Sequence, residues 1–336
     1  MASVFTASIQ GKTAGVAGAA LFVLAALSAM AQSPSAGTWS AGADMPGPRT
    51  EPGAAALDGK LYVLGGSTRD IDDLATALVY DPEANAWRAI ASMPRGINHV
   101  GSAALNGRVY AIGGFTGKAP GENGPRKVHF GAVDVAFEYD PAANAWKTLP
   151  PMSSPRGSVG VAALDGKIHA IGGRGLDIKT VATHEIYDPS AGAWTRAAPL
   201  PTKRDHMATI SARGLIHVIG GRLDDRDDNV GLHDIYDPRA DTWRSGPPLP
   251  TPRSGGQSAL VGGLIVVYGG ENSKKTFDEV EAFDLDANAW ISYARAPTGL
   301  HASAGAAIGD TVYFPGGSTG PGGDAITAGL RAFRPR

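Results

Sequence analysis

Six tryptophans stand in this chain of 336 residues, and a Gly-Gly pair begins 26 residues after every one of them. Trp39, Trp87, Trp146, Trp194, Trp243 and Trp290 are followed by doublets at Gly65, Gly113, Gly172, Gly220, Gly269 and Gly316. An aromatic residue lies seven positions before every tryptophan except the first: Tyr80, Tyr139, Tyr187, Tyr236 and Phe283. Successive tryptophans are 48, 59, 48, 49 and 47 residues apart. A period near 50 means that each unit is one supersecondary block, burying its apolar face against copies of itself in a radial or solenoidal array.

Each unit holds four strand-like segments, which in the second read "HVGSAALN", "GRVYAIGG", "VDVAFEYD" and "NAWKTLP". A two-residue hairpin turn separates the first two: Asp58-Gly59, Asn106-Gly107, Asp165-Gly166, Arg213-Gly214, Gly262-Gly263 and Gly309-Asp310. Most of these pairs accept the positive φ that a tight hairpin demands. Two residues before each Trp stands Gly37, Asn85, Asn144, Gly192, Asp241 or Asn288, types that tolerate left-handed backbone, so a turn is expected there too. Four strands per unit, six units and no helical period predict an all-β fold, a six-bladed β-propeller with four antiparallel strands per blade. The last unit reaches Arg336 without a fourth strand, while "GTWSAG" at the start supplies one. The N-terminal strand is therefore expected to close the ring and to remove the two exposed edges of an open array.

Composition excludes several chemistries. A formal net charge of -2 is unlike a nucleic-acid binder. With no cysteine there are no disulfides and no thiolate zinc sites. Residues 1–31 carry one basic side chain, Lys12, then the apolar run "AGAALFVLAALSAMA". That pattern reads as a signal peptide cleaved between Ala31 and Gln32, leaving one domain over 32–336 in the periplasm or secreted medium, with no later membrane span.

The doublet, Tyr and Trp at these spacings resemble the kelch repeat over residues 37–333. The resemblance implies fold more than function, because kelch propellers include interaction modules, sugar-acid mutarotases, copper oxidases and iron-dependent specifier proteins. The copper oxidases need a Tyr–Cys cross-link, which a chain without cysteine cannot form. The doublets and the aromatics, all six Trp included, are expected to be structural.

In kelch proteins the binding face gathers residues just after each doublet and those 10–12 after each Trp. Here the first row is Ser67, Phe115, Arg174, Arg222, Glu271 and Ser318. Ten after Trp come Arg49, Ile97, Arg156, Arg204, Arg253 and Leu300, and twelve after come Glu51, His99, Ser158, His206, Gly255 and Ala302. Arginine offers a planar fork for carboxylate, sulfate or phosphate. The ligand-binding candidates are thus Arg49, His99, Phe115, Arg156, Arg174, Arg204, Arg222 and Arg253. The competing reading of the Arg row is that it ties adjacent blades together through backbone carbonyls.

The second unit is 11 residues longer than the first, with the excess between Gly114 and Tyr139. It is expected to form a loop over the mouth that offers Phe115, Lys118, Arg126, Lys127 and His129. His169 and His217 are expected to pack, and His184 and His233 to fill blades or lie on the surface. His99, His206 and His301 approach the axis, but the spacing fixes no metal geometry. "RLDDRDDN" at 222–229 lacks the ligand spacing of a calcium loop and reads as solvated. No metal and no cofactor are expected.

These observations predict a monomeric binding module for a small anionic sugar or an acidic peptide or protein partner. The second reading is a mutarotase or isomerase of the sialic-acid type, which the resemblance to exported six-bladed kelch proteins implies. It would use Glu51, His206 and Glu271 as catalytic acid and base groups.

Overall fold

A computed structural model describes residues 35–68, 73–117 and 131–336. The proposed signal peptide and the insertion candidates Lys118, Arg126, Lys127 and His129 lie outside the described residues. Blade 1 runs outward from the axis as β2 (Gly53–Leu57), β3 (Lys60–Leu64), β4 (Ala77–Asp81) and β5 (Ala86–Ile90). Blades 2 to 5 repeat this order as β6–β9 (101–149), β10–β13 (160–196), β14–β17 (208–245) and β18–β21 (257–292). Blade 6 is β22 (Ala306–Ile308), β23 (Thr311–Pro315), β24 (Leu330–Arg334) and then β1 (Thr38–Gly42), which pairs antiparallel with β24 from Thr38–Arg334 to Gly42–Leu330. The N-terminal strand does close the ring.

The hairpin turns have the expected chemistry. Asp58, Asn106, Asp165, Arg213 and Gly262 have φ between 49° and 54°, followed by a glycine with φ between 70° and 80°. That double positive φ is the type I′ turn. In Gly309-Asp310 only the first residue has positive φ, as a type II′ turn requires. Asn85, Asn144, Gly192, Asp241 and Asn288 are all left-handed. Gly37 is the exception: its φ is not positive, and glycine stands there because a Cβ would lie 2.1 Å from the Phe333 ring.

The core is divided among the gaps between blades. Tyr62, Leu64, Ala77 and Val79 of blade 1 pack against Val109, Ala111, Phe137 and Tyr139 of blade 2, and the pattern recurs around the ring. The tryptophans join blades as amphipathic braces. The indole N–H groups of Trp87, Trp146, Trp194, Trp243 and Trp290 donate to Ala43, Ala91, Pro150, Ala198 and Pro247 carbonyls of the preceding blade, at 2.7–2.9 Å. Trp39 stacks within 5 Å of Tyr268 and Phe333.

The doublets form the joint between blades. The second glycine of each, from Gly66 to Gly317, donates its N–H to the carbonyl of the residue ten after the next Trp, at 2.8–3.0 Å. These acceptors are Ile97, Arg156, Arg204, Arg253, Leu300 and Arg49, so the joint is continuous around the ring.

Candidate functional site

Where the inner strands begin, the backbone makes a belt around the axis. The six residues twelve after each Trp are all left-handed: Glu51, His99, Ser158, His206, Gly255 and Ala302, with φ from 51° to 65°. N–H groups of this row donate to the carbonyl of the same position one blade earlier: Glu51 to Ala302, His99 to Glu51, Ser158 to His99 and Gly255 to His206, at 2.6–3.2 Å. Above the belt opens a mouth of ≈ 1000 Å³. Below it a channel of ≈ 440 Å³ runs between inner strands of Ala, Gly and Ser. Glu51, His99 and His206 border both spaces.

Of the sequence candidates, Glu51, His99, Arg174, His206, Arg222 and Glu271 line the mouth together, joined by His301, Asp224, Asp225 and Arg226. The other five candidates do not. Arg49, Arg156, Arg204 and Arg253 are at most 4 % exposed and turn into their own blades. Arg156 donates to Gly172 O and Thr183 O and pairs with Glu185 at 2.6 Å. Arg204 donates to Gly220 O and Val218 O and pairs with Asp234 at 2.8 Å, while Arg253 pairs with Glu281. Arg49 bonds Gly65 O and Thr76, and burial lowers its pKa to about 10. These side chains stitch one blade each, and it is their backbone carbonyls that join blades. Phe115 is fully buried against the His99 ring, centroids 5.4 Å apart, and fills the space beside Gly157.

Among the described residues the four remaining histidines form two buried pairs. His169 Nδ1 lies 3.0 Å from His184 Nε2, and His217 Nδ1 lies 2.8 Å from His233 Nε2. Carbonyls of Ala198 and Pro247 accept from Nδ1 of His184 and His233 at 3.1 Å, which fixes the direction of both chains. The pairs are packing, as expected for His169 and His217, and His184 and His233 fill blades rather than face water.

Asp205 is the residue that sequence reasoning missed. It is wholly buried and central: Arg174 Nε donates to Oδ2 at 2.7 Å, Arg222 Nε to Oδ1 at 3.3 Å, and His206 Nδ1 lies 3.1 Å from Oδ2. Burial opposes its ionisation, but His206, Arg222 and Arg174 outweigh that and hold its pKa well below the carboxylate range. Arg222 continues to Glu271 Oε1 at 3.2 Å, and Glu271 Oε2 accepts from Gly322 N at 2.8 Å. His206 is pushed down by burial and by Arg222, against the pull of Asp205 and Glu51. Glu51 is held low: burial opposes its charge, and the bond from His99 together with the nearby His206 and His301 overcomes it.

The signal for Asp205 lay one column away. Residues eleven after Trp are Thr50, Asn98, Gly157, Asp205, Ser254 and His301, and each bridges the residue after its own doublet. Five of the six are polar in a buried place, which a packing column does not need. The 222–229 stretch is also more than a solvated loop. Asp224 accepts from Thr180 N and Oγ1 at 2.9–3.0 Å and so latches blade 3 to blade 4 across the mouth rim.

Sequence comparison finds the Kelch motif at residues 48–94, 155–201 and 252–295. The chain is a six-bladed propeller that carries Kelch motifs over these three stretches. Kelch-like protein 26 of Danio rerio is 46 % identical over 44 residues, which is 13 % of this chain and 7 % of that protein. The chain therefore matches only a small part of that relative. The solved structure of YjhT superposes with a TM-score of 0.72 at 17 % identity, over 85 % of this chain and 95 % of that one. At that identity the likeness concerns the fold. Among the described residues no helix is long and apolar enough to cross a membrane.

Proposed function

We propose that this kelch propeller is a binding module, acting outside the cytoplasm, whose mouth takes a small anionic polyol such as an acidic sugar. The observation that carries the reading is the company at the mouth. Arg174, Arg222, Arg226 and three histidines converge on one cavity of ≈ 1000 Å³, a volume suited to a small ligand rather than a folded partner. Arg174 and Arg222 are already held by Asp205 and Glu271, so they form a rigid polar floor with little freedom left to lose on binding. Arg226, with a side chain 45 % exposed, is the cation best placed to meet a carboxylate from solvent.

A second reading, isomerisation of a sugar acid by proton transfer, is favoured by carboxylates behind or beside three histidines: Asp205 with His206, Glu51 with His99, and Glu271 with His301 at 3.1, 3.1 and 3.6 Å.

Both readings are tested by NMR of the chain from Gln32 mixed with α-enriched sialic acid. Binding broadens the sugar signals, and Arg226→Ala reduces that broadening several-fold. Isomerase action shortens the approach to anomeric equilibrium and is lost in His301→Gln. Sugar signals identical to a no-protein control would overturn both.

A further inference from the structure

Glu51, His99 and His206 come from blades 1, 2 and 4, and each offers a donor atom within 4.8 Å of the other two. We propose that they form a site for a divalent transition-metal ion of the zinc–iron class, bound by the Glu51 carboxylate and by Nε2 of both histidines. Two imidazoles and one carboxylate suit such ions and not Mg²⁺ or Ca²⁺, which prefer all-oxygen sites.

The hydrogen bonds behind the ligands decide which nitrogens face inward. Asn98 Nδ2 donates to Asp73 Oδ1 at 2.6 Å, which turns Asn98 Oδ1 toward His99 Nδ1. The amide oxygen only accepts, so Nδ1 carries the proton. In neutral His99 the Nε2 lone pair then points at Glu51 Oε1, 3.1 Å away. Two acceptors at that distance are held together by a proton or by a cation. His206 matches His99 only behind the ring, where Nδ1 lies 3.1 Å from Asp205 Oδ2. Its Nε2 accepts from Arg222 Nη2 at 3.2 Å and lies 3.4 Å from Ser158 Oγ, so Arg222 has to turn aside for Nε2 to bind an ion. A polar group behind the distal ring nitrogen, here from the residue just before each histidine, is the usual support of a metal-bound imidazole.

The belt also sets the shape of the site. Metal–donor distances of about 2.0–2.2 Å require each donor to move inward by less than about an ångström. The other three belt positions, Ser158, Gly255 and Ala302, are small, which leaves the coordination sphere open for water or ligand. The charge of Arg222 beside the site is met by Asp205 and Glu271.

The site shares Glu51, His99 and His206 with the mouth of the sugar reading, but its test uses no sugar, so the two can fail separately. The chain from Gln32, stripped with EDTA, is titrated with Zn²⁺ by calorimetry at pH 7.5 and with Co²⁺ by visible absorption. One ion per chain is expected, with Co²⁺ bands of a low-coordinate site. The variants His99→Ser, His206→Ala and Glu51→Ala install residues that the same belt position already holds in other blades, each with left-handed φ. They should fold, as circular dichroism would verify, and each should weaken Zn²⁺ binding at least 100-fold. His301→Gln should bind within about threefold of the parent. Failure of the parent chain to bind one Zn²⁺, or binding undiminished in the three belt variants, would overturn the proposal.

Discussion

The carbonyl oxygen of Leu300 lies 2.0 Å from the place a Cβ on Gly269 would take, and it accepts the N–H of Gly270 at 2.8 Å. Blade 5 therefore touches the chain entering blade 6 through bare backbone, and the same joint recurs at every doublet.

Gly269→Ala should lower stability by about 3 kcal/mol, from positive-φ strain plus a displaced joint. Gly107→Ala, at a hairpin with φ 73° and nothing within 4 Å of the new methyl, should cost only about 1–2 kcal/mol. Urea unfolding of the two variants compares them directly. Equal losses would show that the close approach is unimportant.

Arg204 and Asp234 form a buried ion pair, with side chains 0 % and 7 % exposed. Arg204→Ala leaves the aspartate buried alone and should cost about 3–5 kcal/mol. Arg226→Ala, at the exposed rim, should change stability by less than about 1 kcal/mol. If Arg204→Ala were as stable as the parent chain, the Arg column would have to be read again as a ligand column.

Acid should weaken the protein through its histidine pairs. Burial, with a repulsive contribution from the partner ring or a neighbouring cation, pushes His169 down to about 3 and His184, His217 and His233 to about 4. The unfolded chain titrates near 6.5 and so binds more protons between these values. The stability they provide is complete above about pH 6.5 and falls as pH drops toward 4. Urea midpoints across that range should show it, with a shallower slope in a His217→Leu, His233→Leu double variant. An unchanged slope would mean that this pair titrates normally.

Ring closure depends on Gly37 passing beneath the Phe333 ring. Gly37→Val places a Cβ 2.1 Å from Phe333 Cε2, so β1 must lift from β24. The uncovered edge should drive concentration-dependent association, visible by light scattering. A monomeric variant with parental melting temperature would show that the clasp tolerates the clash.

Much of the fold was legible because its requirements are local. Type I′ turns at Asp58-Gly59 and left-handed Asn85, Asn144 and Asp241 depend on a few backbone angles, which residue types announce. The site was legible only as columns. Departure from the repeat pattern favoured Arg174 and Arg222 over Arg156 and Arg204, each 18 residues earlier, but only the structure shows the first two at the mouth and the others turned into the blades.

Sequence by itself determined the number of blades, the strand order within each and the early strand that completes the sixth, because the period, the four strand-like segments per unit and the displaced fourth strand are all local features of the chain. Tertiary structure decided which side chains share the axis. The belt brings Glu51, His99 and His206 together from positions as far as 155 residues apart, and Asp205 with Asn98 sets which ring nitrogens face inward. Contacts of that kind depend on the closed ring and on the partners behind each side chain, and neither is written in the spacing of one repeat.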